Sequence, residues 1–194
     1  MFSIWMFCFA MMISLASRAS ILTKEDMALY QYGYEVMINQ IINIMIAVLI
    51  AIVLHAPITV LSFLVCYIPL RSFCGGYHAS TNERCSAISV VLICLTCILT
   101  YIFESYNMII SLAIAAAISG IGVFTLTPVA DQNKPLDEIE TVRYRKVGRI
   151  IWLAKVAICF VRFFIMGEMA YAIASTHLIF SFMLFLGSAK NRKT

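Results

Sequence analysis

Long apolar runs separated by short polar stretches dominate the pattern along this chain. A spanning helix needs about 20 apolar residues to cross about 30 Å of hydrocarbon, and residues 36–54, 86–103 and 108–126 contain no Asp, Glu, Lys or Arg. Residues 169–188 form a fourth run whose only titratable group is His177, and residues 150–166 form a fifth, in which Lys155 and Arg162 must turn inward or snorkel. The segment 57–70, with Pro57 and Pro69 near its ends, reaches only about 21 Å at about 1.5 Å per residue. It reads as a sixth span, tilted or thinning the bilayer locally. The predicted fold is therefore an all-α integral membrane protein, a single membrane domain over residues 1–194 with six transmembrane helices.

Basic residues in the connecting segments support this count. Arg18, Lys24, Arg71, Arg84, Lys134, Arg143, Arg145, Lys146, Arg149, Lys190, Arg192 and Lys193 all fall on one side of a six-span chain. The other side, around His55, Glu104 and Glu168, has neither Lys nor Arg. Positive charge collects in the cytoplasm, so both termini, the 71–85 segment and the basic loop 127–149 are expected there. Residues 1–17 are apolar but lack the basic start of a secretory signal. Their weak stripe of small residues, Ser3, Ala10, Ser14 and Ser17, favours an N-terminal interfacial helix over a seventh span. Residues 1–35 then make up this helix and a cytoplasmic lead-in, helical over about 23–34 with Glu25 and Asp26 in its first turn.

Composition narrows the classes. In a chain of 194 residues, 62% hydrophobic and only 12% charged is incompatible with a fully solvated surface. The net charge of +4 is small and dispersed, which speaks against nucleic acid as a partner. Seven cysteines, mostly inside apolar runs, do not form a secreted disulfide framework. Cys94 and Cys97 have CxxC spacing in mid-span without further ligands, so no metal and no cofactor is expected.

The chemistry concentrates between the second and third spans, in Arg71-Ser-Phe-Cys-Gly-Gly-Tyr-His78-Ala-Ser-Thr-Asn-Glu-Arg-Cys85. A thiol becomes a nucleophile when a base or a positive setting makes it thiolate, and histidine is the common supplier. Seven residues on one straight helix separate Cys85 from His78 by about 10.5 Å along the axis, too far for a hydrogen bond of about 3 Å. The segment must fold back. Ser80-Thr-Asn-Glu83 fits a capping box, which places Cys85 in the first turns of the third span, where the positive helix end favours thiolate. Cys74, four residues before His78, is the competing nucleophile. Gly75-Gly76 reads either as a plain turn or as exposed amides for an oxyanion, and Arg71 either as an interfacial anchor or as a partner for a carbonyl or carboxylate.

The run Arg71, Gly75-Gly76-Tyr77-His78-Ala79 and Cys85 resembles the accessory gene regulator B (AgrB) family of membrane cysteine endopeptidases. The approach to the first span, Glu25-Asp26 through Tyr32-Gly33 and Glu35, and the loop Pro128-Val-Ala-Asp131-Gln-Asn-Lys134-Pro135 agree with it, so the likeness covers about residues 20–188. The N-terminal stretch departs from it in being more apolar. The resemblance implies a homodimer in the lipid bilayer that processes an AgrD-like precursor of an autoinducing peptide for quorum sensing. Cys85 would attack near the C-terminal end of the precursor with His78 as base and acid, supported by Arg71, Gly75 and Gly76. The peptide would be held as a thioester and released as a cyclic thiolactone or lactone.

Outside this segment, Arg143, Arg145 and Lys146 read as positive anchors or as a seat for an acidic precursor tail. Lys155 and Arg162 share one helix face turned to the bundle interior, where they read either as partners of acids or as contacts for peptide carbonyls. His177, flanked by Ser175 and Thr176, reads as an interhelical hydrogen-bonding group. The rival class is a small transporter or exporter, with Lys155, Arg162 and His177 lining a path and no covalent catalysis.

Overall fold

A computed structural model describes residues 24–77, 79, 81–129, 137–165 and 167–191. The expected N-terminal interfacial helix over residues 1–17 lies outside the described residues. Among the described residues the chain forms six α-helices and no strands: α1 (Lys24–Val53), α2 (Pro57–Cys74), α3 (Asn82–Ser105), α4 (Ile110–Leu126), α5 (Glu138–Ile165) and α6 (Gly167–Asn191). The chain divides into two compact units, residues 1–45 and 46–194. In the first, the described part is helical throughout from Lys24. The second holds the end of α1 and all the other helices.

Each helix contains one of the six apolar runs, and the differences lie at the ends. The expected lead-in and the first span are one helix, α1, and the basic stretch 138–149 is continuous with the apolar run after it in α5. Neither junction carries a proline, so the helical hydrogen-bond ladder runs on through the change in polarity. α2 continues past Pro69 to Cys74, so Arg71 and Cys74 are helical and the break in the 71–85 segment is confined to the residues after them. Three helical stretches, Pro57–Cys74, Glu83–Ser105 and Met169–Asn191, are long and apolar enough to cross a membrane, while Met37–Val53 and Ile110–Leu126 are shorter apolar helices.

α6 is the packing centre of the second unit, touching α2, α3, α4 and α5. Small side chains allow that approach: Ala170, Ala172, Ala174, Ser175 and Thr176 are all buried. Their hydroxyls are satisfied within the helix, Ser175 Oγ donating to the Tyr171 carbonyl at 2.9 Å and Thr176 Oγ1 to the Ala172 carbonyl at 2.8 Å. Thr100 Oγ1 donates to Ser175 Oγ at 3.2 Å, joining α3 to α6. Trp152 Nε1 donates to Ser119 Oγ at 2.9 Å, joining α5 to α4, over Gly120, where a Cβ would stand 2.8 Å from the indole. The outer faces carry Leu61, Val65, Ile98, Ile121, Phe160 and Phe185 in exposed positions, a surface suited to lipid and not to water.

One core cluster, Leu70, Cys74, Val123, Val129, Phe180 and Leu184, lies at the end of α2 and supports the segment that follows. Phe180 is 0% exposed and meets the Tyr67 ring edge-on at 6.3 Å. Phe180→Ala should cost about 3 kcal/mol, as cavity-forming aromatic truncations do, and lower the unfolding midpoint in a detergent titration. Phe182→Ala, at a position 58% exposed, should leave the midpoint nearly unchanged.

Candidate active site

α2 ends where its sequence turns to glycine. Gly75 (φ 75°) and Gly76 (φ 128°) adopt backbone conformations that a side chain disfavours, and the chain leaves the helix axis there. Three close approaches fix the exit. Val129 N–H donates to the Cys74 carbonyl at 2.9 Å, and Gly75 bridges to Val129 so tightly that a Cβ would overlap the Val129 carbonyl oxygen. Tyr77 N–H donates to the Met183 carbonyl of α6 at 2.9 Å, and Gly187, one turn further along α6, lies against the Gly76 and Tyr77 backbone where any Cβ would collide. The Lys190 ammonium sits 5.3 Å from the centre of the Tyr77 ring.

Arg71 completes the fold-back. Its Nη2 donates to the Tyr77 carbonyl. Its Nη1 is buried, has no hydrogen-bond partner among the described residues, and lies directly against Gly76, where it occupies the space a Cβ would take. An orphan donor of this kind is costly unless something binds it. The structure therefore brings Arg71, Gly75 and Gly76 together. His78 lies outside the described residues.

Cys85 is placed by the start of α3. Thr81 is extended (φ −136°, ψ 151°) and its side-chain oxygen accepts from Arg84 N–H at 3.3 Å. The cap is thus Thr81, one residue after the expected Ser80, and Glu83 stands in the first turn instead of at the reciprocal capping position. Cys85 N–H donates to the Thr81 carbonyl at 3.0 Å, making the first turn, and Ser89 Oγ donates to the Cys85 carbonyl at 3.0 Å. The Cys85 side chain is partly exposed. Cys74, the competing thiol, is 0% exposed and faces Gly148 of α5, where a Cβ would stand 2.6 Å from its sulfur. No substrate can reach that thiol without parting α2 from α5.

Sequence reasoning missed Tyr67. It lies one turn before Arg71, stacks on Phe63 at 4.8 Å, and is within electrostatic reach of both Arg71 and Cys85. The i, i+4 spacing from Arg71 was the available signal. The contacts of Val129, Met183 and Gly187 leave no local mark, because they are made by backbone.

The remaining candidates separate. Arg145 Nε donates to the Thr127 carbonyl at 3.2 Å, tying the start of α5 to the loop that carries Val129. Arg143 and Lys146 are exposed. Phe73 and Tyr144 meet edge-on at 5.6 Å, so this basic turn of α5 packs beside the end of α2. Lys155 is apart from it, 7% exposed, its ammonium donating to the Cys66 carbonyl in the interior. No group of three or more His, Cys, Asp or Glu among the described residues is arranged to hold a metal ion.

The family model for accessory gene regulator B matches residues 4–186. The chain is similar to AgrB-like protein 2 of Clostridium perfringens strain 13, with 24% identity over 132 residues, 66% of this chain and 62% of that protein. It is similar to the same extent to an AgrB-like protein of Clostridium perfringens strain SM101, again 24% identical over 132 residues. The match therefore spans about three-fifths of the length of these curated relatives. No solved structure matches the chain.

Burial alone predicts an order of thiol reactivity. In intact membranes a water-soluble maleimide should modify Cys85 at least tenfold faster than Cys74, read by peptide mass mapping. Equal rates would contradict the packing of Cys74 against Gly148.

Proposed function

Because the chain belongs to the accessory gene regulator B family, we propose that it is a membrane-embedded cysteine endopeptidase that trims the precursor of an autoinducing peptide and closes it into a ring. The observation that carries this reading is a partly exposed thiol at the start of α3, with Tyr67 within electrostatic reach of both it and Arg71, whose buried Nη1 beside the glycine exit has no hydrogen-bond partner among the described residues.

In this scheme His78 takes the proton of Cys85 and the thiolate attacks a peptide carbonyl near the precursor's C-terminal tail. The carbonyl oxygen gains negative charge, for which Arg71 Nη1, buried against Gly76, is a desolvated donor. The C–N bond breaks, the leaving amine takes the proton from His78, and the peptide stays on Cys85 as a thioester. A thiol or hydroxyl within the peptide then attacks that carbonyl as His78 takes its proton, the bond to the Cys85 sulfur breaks, the sulfur regains that proton from His78, and a thiolactone or lactone leaves. Ring closure is intramolecular, so a folded peptide presents its nucleophile at high effective concentration against water. The six apolar runs are read as six spans, with the charge distribution setting α2's end and α3's start on the cytoplasmic side, where thiols stay reduced. Arg143 and Lys146, exposed beside the end of α2, are placed to receive an acidic precursor tail, whereas Arg145 is engaged with Thr127.

Cys85→Ala and Cys85→Ser should abolish precursor cleavage without loss of membrane insertion. Wild-type protein incubated with precursor peptide should show by mass spectrometry a peptide adduct on Cys85 that hydroxylamine removes. Cleavage by Cys85→Ala would end the peptidase reading, and transport without an adduct would favour the exporter.

Neutralising Arg143 and Lys146 together should weaken precursor binding severalfold at low salt and little at high salt. Unchanged low-salt affinity would remove them from the site.

A further inference from the structure

A second site lies away from Cys85, between α4, α5 and α6. It is a cavity of about 330 Å³, at the lower end of the volumes of about 300–1,000 Å³ typical of small-molecule sites. Its walls are apolar, including Leu112, Ala116, Val156 and Phe163, with one exception, His177. That imidazole is 2% exposed, and neither ring nitrogen has a hydrogen-bond partner among the described residues. The expected interhelical hydrogen bond of His177 is thus not made among the described residues. A buried imidazole without partners costs stability unless something in the cavity supplies them.

Two observations identify the occupant. Phe160 and Phe164, which also line the cavity, are largely exposed on the outer face that is suited to lipid, which favours an occupant that partitions into a membrane and enters from the hydrocarbon side. Lys155 lies within electrostatic reach of His177. Its ammonium donates to the Cys66 carbonyl and has no acidic partner among the described residues. A buried cation without a counter-ion favours an anionic ligand, and an imidazole N–H is a donor for it.

We propose that this cavity is a binding site for a medium-chain alkyl carboxylic acid, its alkyl chain among the apolar walls and its carboxylate held by His177 in the field of Lys155. The inference is independent of the peptidase reading, since it concerns a separate site and is tested without turnover.

The test uses the full-length protein in nanodiscs of zwitterionic lipid with three probes of equal chain length, each carrying a photoreactive group: decanoic acid, decanol and methyl decanoate. The acid should label peptides of α4, α5 or α6 around the cavity, at least tenfold more than the methyl ester and severalfold more than the alcohol. Unlabelled decanoic acid should compete. His177→Phe should lower labelling by the acid at least tenfold while leaving the ester unchanged, and His177→Gln, which keeps an N–H donor, should restore part of it. Ala116→Phe fills the cavity without touching His177 and should block all three probes, which keeps the test decisive if His177→Phe does not fold. Equal labelling by acid and ester, labelling confined to other helices, or undiminished labelling in Ala116→Phe would each overturn the proposal.

Discussion

Backbone meeting backbone is the constraint on which this molecule's candidate site rests. The exit from α2 is held by Val129 from one direction and by Met183 and Gly187 from another, and at two of these meeting points, Gly75 against Val129 and Gly187 against Gly76 and Tyr77, a side chain is excluded by lack of room. Two of these contacts are hydrogen bonds, and that of Val129 N–H satisfies the Cys74 carbonyl that would otherwise be stranded at the end of α2. They also explain how Arg71 can keep a desolvated donor beside Gly76. The glycine exit brings the chain back over the guanidinium, and the packed cluster of Leu70, Val123, Phe180 and Leu184 beneath it keeps it from relaxing.

The central place of α6 follows from the same economy of side-chain volume. A helix surrounded by four others needs small residues where they converge, and the Ala170 to Thr176 stretch supplies them. Near its other end, Gly187 serves the approach of the α2 exit. One helix therefore contributes to the wall of the His177 cavity and to the clamp on the candidate active site, through residues about 15 Å apart along its axis, at about 1.5 Å per residue.

Much of the architecture was legible in the chain because apolar runs are long-range patterns that survive any local ambiguity. The six runs became six helices, and the start of α3 fell within one residue of its expected cap, Thr81 in place of Ser80. What escaped was decided by neighbours. Pro69 looked like a boundary, yet α2 absorbs it, since the turn after it is anchored by Arg71 and terminated only at Gly75. Cys74 and Cys85 were comparable by spacing from His78; the start of a helix favoured Cys85, and burial against Gly148 now sets Cys74 apart. Tyr67 was within reach of a periodicity argument; the partners of Gly75 and Gly187 were not, because a carbonyl has no letter in the sequence.

In the proposed scheme Arg71 carries two duties on one planar group. One nitrogen fastens the polypeptide where it doubles back, and the other is left facing the space beside Gly76. An ammonium on a flexible stem lacks the fixed divergence of two such nitrogens, so even a charge-preserving replacement would merge architecture with reactivity in a single loss. A defect at this position would therefore need to be apportioned by watching whether the sulfur of Cys85 keeps its accessibility while turnover falls.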